Sequence, residues 1–331
     1  LAGATTGSVT VTGDDDALDE NDETVIVDID SVTNATEATP QQETTSITDD
    51  DDTPEVTLSL DNATIAEDGG VATFTATLDA VSGRDVTVNL AYSGTATGGG
   101  TDYTASSATI TILAGATTGS ITVTGDDDAL DENDETVIVD IDSVTNATEA
   151  TPQQETTTIT DDDDAPEVTL SVDSATIAED GGVATFTATL DAASAKDVTV
   201  NLAYSGTATG GGTDYTASST SITILAGATT GTVTVTGDDD ALDENDETVI
   251  VDIDSVTNAT EATPQQETTT ITDDDDAPEV TLSVDSATIA ENGGVATFTA
   301  TLDAVSAKDV TVNLVYSGTA TGGGTDYTAS S

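Results

Sequence analysis

The chain has 331 residues, of which 65 are Asp or Glu and only Arg84, Lys196 and Lys308 are basic, for a formal charge of −62. Phosphate backbones and anionic lipids recruit clustered Lys and Arg, so this polyanion excludes nucleic acid as a partner, and it holds no apolar run long enough to insert in a membrane within this segment. Cys and His are absent, which removes disulfides, zinc–thiolate sites and His-based acid–base or nucleophilic catalysis. The hydrophobic 35% is nevertheless arranged in alternating runs that acidic disordered tails lack, so the charge reads as a demand for cations.

The segment LAGATTG begins at Leu1, Leu113 and Leu225, and TPQQETT at Thr39, Thr151 and Thr263, a period of 112 residues. Residues 1–53 read as the back half of a repeat, 54–165 and 166–277 as complete repeats, and 278–331 as the front half of another. The complete copies differ at nine positions, all mild, among them Arg84/Lys196 and Ile121/Val233.

Taken in chain order, the repeat from Pro54 opens with VTLSL at Val56 and then carries AEDGG at Ala66. In the next run, VATFTATLD, Ala72, Phe74, Ala76 and Leu78 share one face and Thr73, Thr75 and Thr77 the other, the period of a half-buried strand. DVTVNLAY repeats this with Val86, Val88, Leu90 and Tyr92. GTDYT at Gly100 precedes ATITIL at Ala108 and SITVTG at Ser120; GDDDALDENDET at Gly125 precedes TVIVDID at Thr136 and TTTIT at Thr156, which ends in ITDDDD. Helical spacing occurs nowhere. About seven short antiparallel strands in roughly 110 residues predict an all-β chain of tandem immunoglobulin-like Greek-key β-sandwiches.

Four acidic sequences therefore recur in the loops of each repeat, where a Greek-key sandwich can gather them at one pole. A single Asp run is usually a solvated loop. Four recurring together are different, because carboxylates crowded into one pocket repel by several kcal/mol at an effective dielectric of about 20 unless a cation sits among them. Oxygen-only ligation selects calcium or magnesium, and a crowded, flexible set favours calcium. Neither EF-hand spacing nor a nonapeptide tandem explains the loops.

The order AEDGG, GTATGGGTDYT, the DD and E-rich loop and a terminal ITDDDD resembles the Calx-beta domain, the module of sodium–calcium exchanger regulatory regions and of many bacterial surface proteins. The resemblance implies several calcium ions per repeat, bound at one pole beside the exit to the next domain. By motif, its ligands fall in the first complete repeat on Glu67, Asp102, Asp127, Asp128, Glu132, Glu135, Asp161, Asp162 and Asp163, with the carbonyl of Leu130. In the second they fall on Glu179, Asp214, Asp239, Asp240, Glu244, Glu247, Asp273, Asp274 and Asp275, with Leu242. The half repeats supply Asp15, Asp16, Leu18, Glu20, Glu23, Asp49, Asp50 and Asp51 at one end, and Glu291 and Asp326 at the other. Ala129 stands where the family often has a third Asp, and Asp126 lies one place earlier.

The reading that follows is a non-enzymatic, calcium-rigidified repeat of an extracellular or cell-surface filament or adhesin, whose partners are other copies of the same repeat in the chain and in a filament. ITDDDD runs into APEVTL with no Gly/Ser linker, so ions on the Asp run also stiffen the joint, helped by Pro166. The alternatives are a calcium sensor, against which near-identical copies argue, and a spacer stalk presenting a ligand-binding tip elsewhere. Asn34, Asn62, Asn146 and Asn258 head N-A-T triplets of the kind that Thr-rich sequence generates by chance. Tyr92 and Tyr103 read as packing residues, and the basic residues at 84, 196 and 308 as surface charges at strand ends.

Overall fold

A computed structural model describes residues 3–39 and 41–330, which form β-strands and no helix. The chain forms two compact units, Leu1–Asp164 and Ala165–Ser331. In the first, β1 (Glu23–Asp28) pairs antiparallel with β2 (Gln42–Ile47). The repeat that follows contains β3 (Glu55–Leu60), β4 (Thr64–Ala66), β5 (Val71–Leu78), β6 (Val86–Gly94), β7 (Tyr103–Ala105), β8 (Thr109–Ile112), β9 (Thr118–Gly125), β10 (Glu135–Thr145), β11 (Thr148–Glu149) and β12 (Gln154–Thr160). They form two sheets, ordered β4-β12-β10-β6-β8 and β11-β3-β5-β9-β7, so the chain crosses repeatedly between layers.

The second unit repeats this plan with β13 (Glu167–Val172), β14 (Thr176–Ala178), β15 (Val183–Leu190), β16 (Val198–Gly206), β17 (Tyr215–Ala217), β18 (Ser221–Ile224), β19 (Thr230–Gly237), β20 (Glu247–Thr257), β21 (Thr260–Glu261) and β22 (Gln266–Thr272). Its sheets are ordered β14-β22-β20-β16-β18 and β17-β19-β15-β13-β21. It ends with an antiparallel pair, β23 (Val280–Val284) and β24 (Phe298–Leu302). Each complete repeat thus has ten strands where the alternation predicts seven. The extra three, β4, β7 and β11, are two or three residues long, too short to show a period, and lie at sheet edges.

The predicted faces hold. Ala72, Phe74 and Ala76 on β5 and Val86 and Val88 on β6 have no exposed surface, and Val137 and Val139 on β10 meet them in the core. The reverse of the β3-β5-β9 sheet is lined by Thr and Ser in register, with Thr57 opposite Thr77, Thr77 opposite Thr118, and Ser59 opposite Thr75. β-Branched Thr suits a strand while leaving that face polar and uncharged. Tyr92 donates from its hydroxyl to the Ser107 carbonyl at 2.6 Å, and its ring lies 6.3 Å from that of Tyr103. The side chains of Asn62 and Asn146 donate to the carbonyls of Val71 and Asp85, so these N-A-T amides serve the fold. Phe298, whose counterparts Phe74 and Phe186 are fully buried, is 59% exposed, because β23 and β24 have no facing sheet among the described residues.

Two glycines set the pole from which the acidic loops leave. Gly94 has φ +123°, and a Cβ there would lie 2.1 Å from the Thr136 carbonyl oxygen, which seats the end of β6 against the start of β10. Gly125 ends β9 so close to β4 that a Cβ would lie 2.5 Å from the Ala66 carbonyl oxygen. Phe74 is the largest fully buried side chain of its repeat. Phe74→Ala is expected to destabilise that repeat by about 3–5 kcal/mol through lost transfer energy and a cavity. Thr75→Ala, on the opposite face, should cost less than about 1 kcal/mol. Denaturant unfolding followed by circular dichroism measures both.

Candidate metal centre

The acidic loops meet because strand directions bring them to one end. β12 and β4 run parallel with Ile159 beside Ile65, so both deliver their C-terminal ends, and hence Asp161–Asp163 and Glu67, to the same pole. β10 runs antiparallel to β12 with Glu135 opposite Ile159, so β10 begins there. β7 and β9 pair Tyr103 with Gly125, which sets Asp102 beside Asp126. Glu67, Asp102, Asp126, Asp128, Glu132, Glu135 and Asp161 line a small open cleft, and their counterparts line another in the second unit.

Within the pole, carboxylate oxygens approach to within 4.8 Å of one another in trios: Glu67 with Asp127 and Asp162, Glu67 with Asp161 and Asp163, and Asp102 with Glu132 and Glu135. The second unit forms Glu179 with Asp273 and Asp275, and Glu179 with Asp239 and Asp274. Glu67 and Glu179 each belong to two trios and are 7% exposed, so they stand between adjacent subsites. Glu67 Oε1, Glu135 Oε2, Asp163 Oδ2 and Asp275 Oδ2 are buried with no hydrogen-bond partner. Buried carboxylate oxygens are normally satisfied, and a set of oxygens without nitrogen or sulfur suits a hard divalent cation. The residues present therefore fit a metal ion.

The loop is held by its own backbone. The Leu130 amide donates to Asp128 Oδ1 at 2.8 Å and the Glu132 amide to Asp161 Oδ1 at 3.1 Å; Leu242 and Glu244 repeat both bonds. Asp126 has one oxygen engaged by the Thr104 hydroxyl at 2.7 Å, whereas Asp127 belongs to a trio and Asp128 caps the turn. Asp126 and Asp128 thus line the cleft itself, while Asp127, outside that lining, joins the trio of Glu67 and Asp162. Asp214 lines the second cleft with Asp240, Glu244 and Glu247.

In the first segment the Leu18 amide donates to Asp16 Oδ1 at 2.9 Å and to Asp51 Oδ2 at 3.1 Å, joining the long acidic loop to the closing Asp run. Glu20 is raised by desolvation and then by Glu23, Asp16, Asp49 and Asp51, which places those carboxylates together. Asp15 and Asp50 are exposed. Glu291 and Asp326 are exposed as well, with Asp326 Oδ2 accepting from the Thr321 amide at 2.6 Å.

One expectation needs correction, and one set of buried residues carried no signal in the sequence. Arg84 and Lys308 are not simple surface charges: Arg84 pairs with Asp19, which is 3% exposed, and Lys308 Nζ lies 2.6 Å from Asp243 Oδ1 and 3.3 Å from Asp273 Oδ2. Asp19, Asp131 and Asp243, the Asp after Leu in DDDALDE, are buried, yet no motif distinguished them within an acidic run.

Burial, then the charges of Asp161, Asp163, Asp162 and Asp128, pushes Glu67 up to about 7. Burial, then a hydrogen bond shared with Asp102, pushes Glu135 up to about 7, and Glu179 and Glu247 are each raised to about 7 with burial the leading cause. A carboxyl raised in the folded state contributes stability below its unfolded value and loses it as pH climbs through the folded one. In chelator the melting midpoint is therefore expected to fall between about pH 5 and 8. Saturating divalent cation should abolish that fall, and Glu67→Gln in chelator should lessen it while leaving the part due to Glu135, Glu179 and Glu247. Thermal melts across pH check all three outcomes.

The Calx-beta domain family matches the sequence in three consecutive stretches, residues 49–163, 161–275 and 273–331. No curated protein matches it. Among solved structures, CBD12 from CALX1.2 is 18% identical, covering 58% of this chain and 77% of its own, with a TM-score of 0.28. The calcium binding domain CBD12 of CALX1.1 is 14% identical, covering 63% and 96%, with a TM-score of 0.29. A tetra-tandem repeat from the extending region of a large adhesion protein is 16% identical, covering 86% and 71%, with a TM-score of 0.35. With the family match running from residue 49 to 331 over an all-β sandwich architecture, the chain belongs to the Calx-beta domain family.

Proposed function

We propose that this chain is a run of calcium-binding structural repeats of an extracellular filament or surface adhesin, in which residues 54–165 and 166–277 each carry calcium at one pole and the bound ions rigidify the joints. The observation that carries the reading is the convergence of buried, unpartnered carboxylate oxygens, Glu67 Oε1, Glu135 Oε2 and Asp163 Oδ2, from three separate segments onto one pole. Oxygens at this density suit calcium, which takes six to eight ligands in flexible geometry; magnesium demands a strict octahedron and keeps its water.

Glu67 would be shared between ions, with Asp127 and Asp161–Asp163 completing its two trios, while Asp102, Glu132 and Glu135 form a third. A bound cation would hold these groups deprotonated and offset their mutual repulsion. Near-identical copies fit a mechanical role better than a sensing one, and an extracellular setting fits weak structural sites, which fill at roughly 0.1–1 mM calcium.

Calcium at 100 times its dissociation constant is expected to add about 2.7 kcal/mol per site to stability, with a much smaller gain from magnesium. Equal melting midpoints in calcium and in chelator would remove the proposal. In the full chain, Glu132→Gln with Glu135→Gln should weaken binding about tenfold or more in the first repeat and leave the second unchanged. Calorimetric titration resolves the two classes, and an unaltered isotherm would show that Asp102, Glu132 and Glu135 hold no ion.

A further inference from the structure

A chain with three basic residues places two of them, in the described pairs, against the same position of the preceding repeat. Arg84 Nε donates to Asp19 Oδ2 at 3.2 Å and its Nη2 to Asp19 Oδ1. Ser82, 1% exposed, turns its hydroxyl to Asp19 Oδ2 at 3.4 Å, and the Gly83 amide donates to the Asp19 carbonyl at 3.0 Å. Lys308 Nζ lies 2.6 Å from Asp243 Oδ1, the Ser306 hydroxyl donates to Asp243 Oδ2 at 2.8 Å, and the Ala307 amide donates to the Asp243 carbonyl at 3.0 Å. Short parallel bridges, Asp19 with Ser82 and Asp243 with Ser306, accompany both.

We infer that the tripeptide Ser-Gly-Arg or Ser-Ala-Lys of one repeat is a docking plug for the buried Asp of the preceding repeat, closing the joint without calcium. The chemistry is self-contained. Both oxygens of Asp19 are taken by Arg84 and Ser82, and both of Asp243 by Lys308 and Ser306, so the protein's own cation supplies the counter-charge. Removing one partner of a buried ion pair leaves the other uncompensated, which makes such a pair specific even where its net stabilisation is small. The scarcity of basic residues sharpens that specificity, because the only basic residues the chain offers are those of the plugs themselves.

The plug comes in two matched forms. Gly precedes Arg at 83–84 and Ala precedes Lys at 195–196 and 307–308. A Cβ at Gly83 would lie 2.8 Å from Glu20 Cγ, so an Ala beside the arginine would require the Glu20 side chain to shift. In the lysine form Nζ also meets Asp273 at 3.3 Å, which touches the candidate metal centre without depending on it.

Trypsin reads the plug directly, since it must draw a basic side chain into a pocket that presents its own carboxylate. The chain offers it three bonds, Arg84–Asp85, Lys196–Asp197 and Lys308–Asp309, all followed by Asp. Brief digestion of the full chain, in calcium and in chelator, is compared with the double variant Asp19→Ala/Asp243→Ala. Chelator, which loosens the repeats as a whole, is expected to raise cleavage of the wild type at all three sites alike, with Arg84 and Lys308 no more affected than Lys196. The variant should be cut roughly tenfold faster or more at those two sites, as cleavage follows the opened population, with Lys196 unchanged as the internal control. If all three sites accelerate, Asp19→Asn/Asp243→Asn, which removes only the charge, decides between the same outcomes. Calcium protection of Arg84 and Lys308 that exceeds that of Lys196, or cleavage of the Asn variant at the wild-type rate, overturns the plug; loss of calcium-dependent melting with the plug intact would overturn only the metal reading.

Discussion

Repulsion among carboxylates that folding itself brings together is the constraint on which the rest of the structure depends. Parallel pairing of β4 with β12 and antiparallel pairing of β10 with β12 force Glu67, Glu135 and Asp161 to one end of the sandwich, whatever their charges prefer. The cost appears as glutamates whose acidity is weakened to about 7 and as buried oxygens with no donor in reach. A protein that only needed solubility would spread its charge over the surface. Here the loops are tied down instead, by backbone donors such as the Leu130 and Glu132 amides, in an arrangement that a divalent cation completes.

The core that bears this load is modest. It is built from Val, Ile, Leu and Ala with one Phe and one Tyr per complete repeat, and its outward strand faces are largely Thr and Ser. Such a sandwich buries little aromatic surface, which leaves a modest apolar contribution beside so many like charges. Close backbone approaches at Gly94 and Gly125 hold the pole in shape, which lets loops of many like charges keep a defined geometry.

Charge is neutralised in two ways at the two kinds of buried carboxylate. Trios around Glu67 and Asp102 have oxygens to spare and fit an ion from solution. Asp19 and Asp243 have none to spare, because a basic residue and a serine of the following repeat occupy them. Buried carboxylates of one fold thus differ in whether the chain itself supplies their counter-charge, and the difference lies in which of them faces the next repeat.

Much of this was legible in the residues. Period-2 alternation in VATFTATL identified the buried face of β5 correctly down to Phe74, and the 112-residue period located the copies, because both depend on local geometry that a linear pattern records. The four acidic loops could be named, since oxygen-rich runs at strand ends are visible wherever they fall. Only the tertiary structure decided the rest. The two- and three-residue strands β4, β7 and β11 exist through edge pairing and carry no period of their own. Asp126 turns to Thr104 while Asp127 turns to Glu67, a choice of side that one-residue spacing cannot announce. And Arg84 finds Asp19 across 65 residues of chain, a pairing made by the meeting of two repeats and by nothing in either sequence alone.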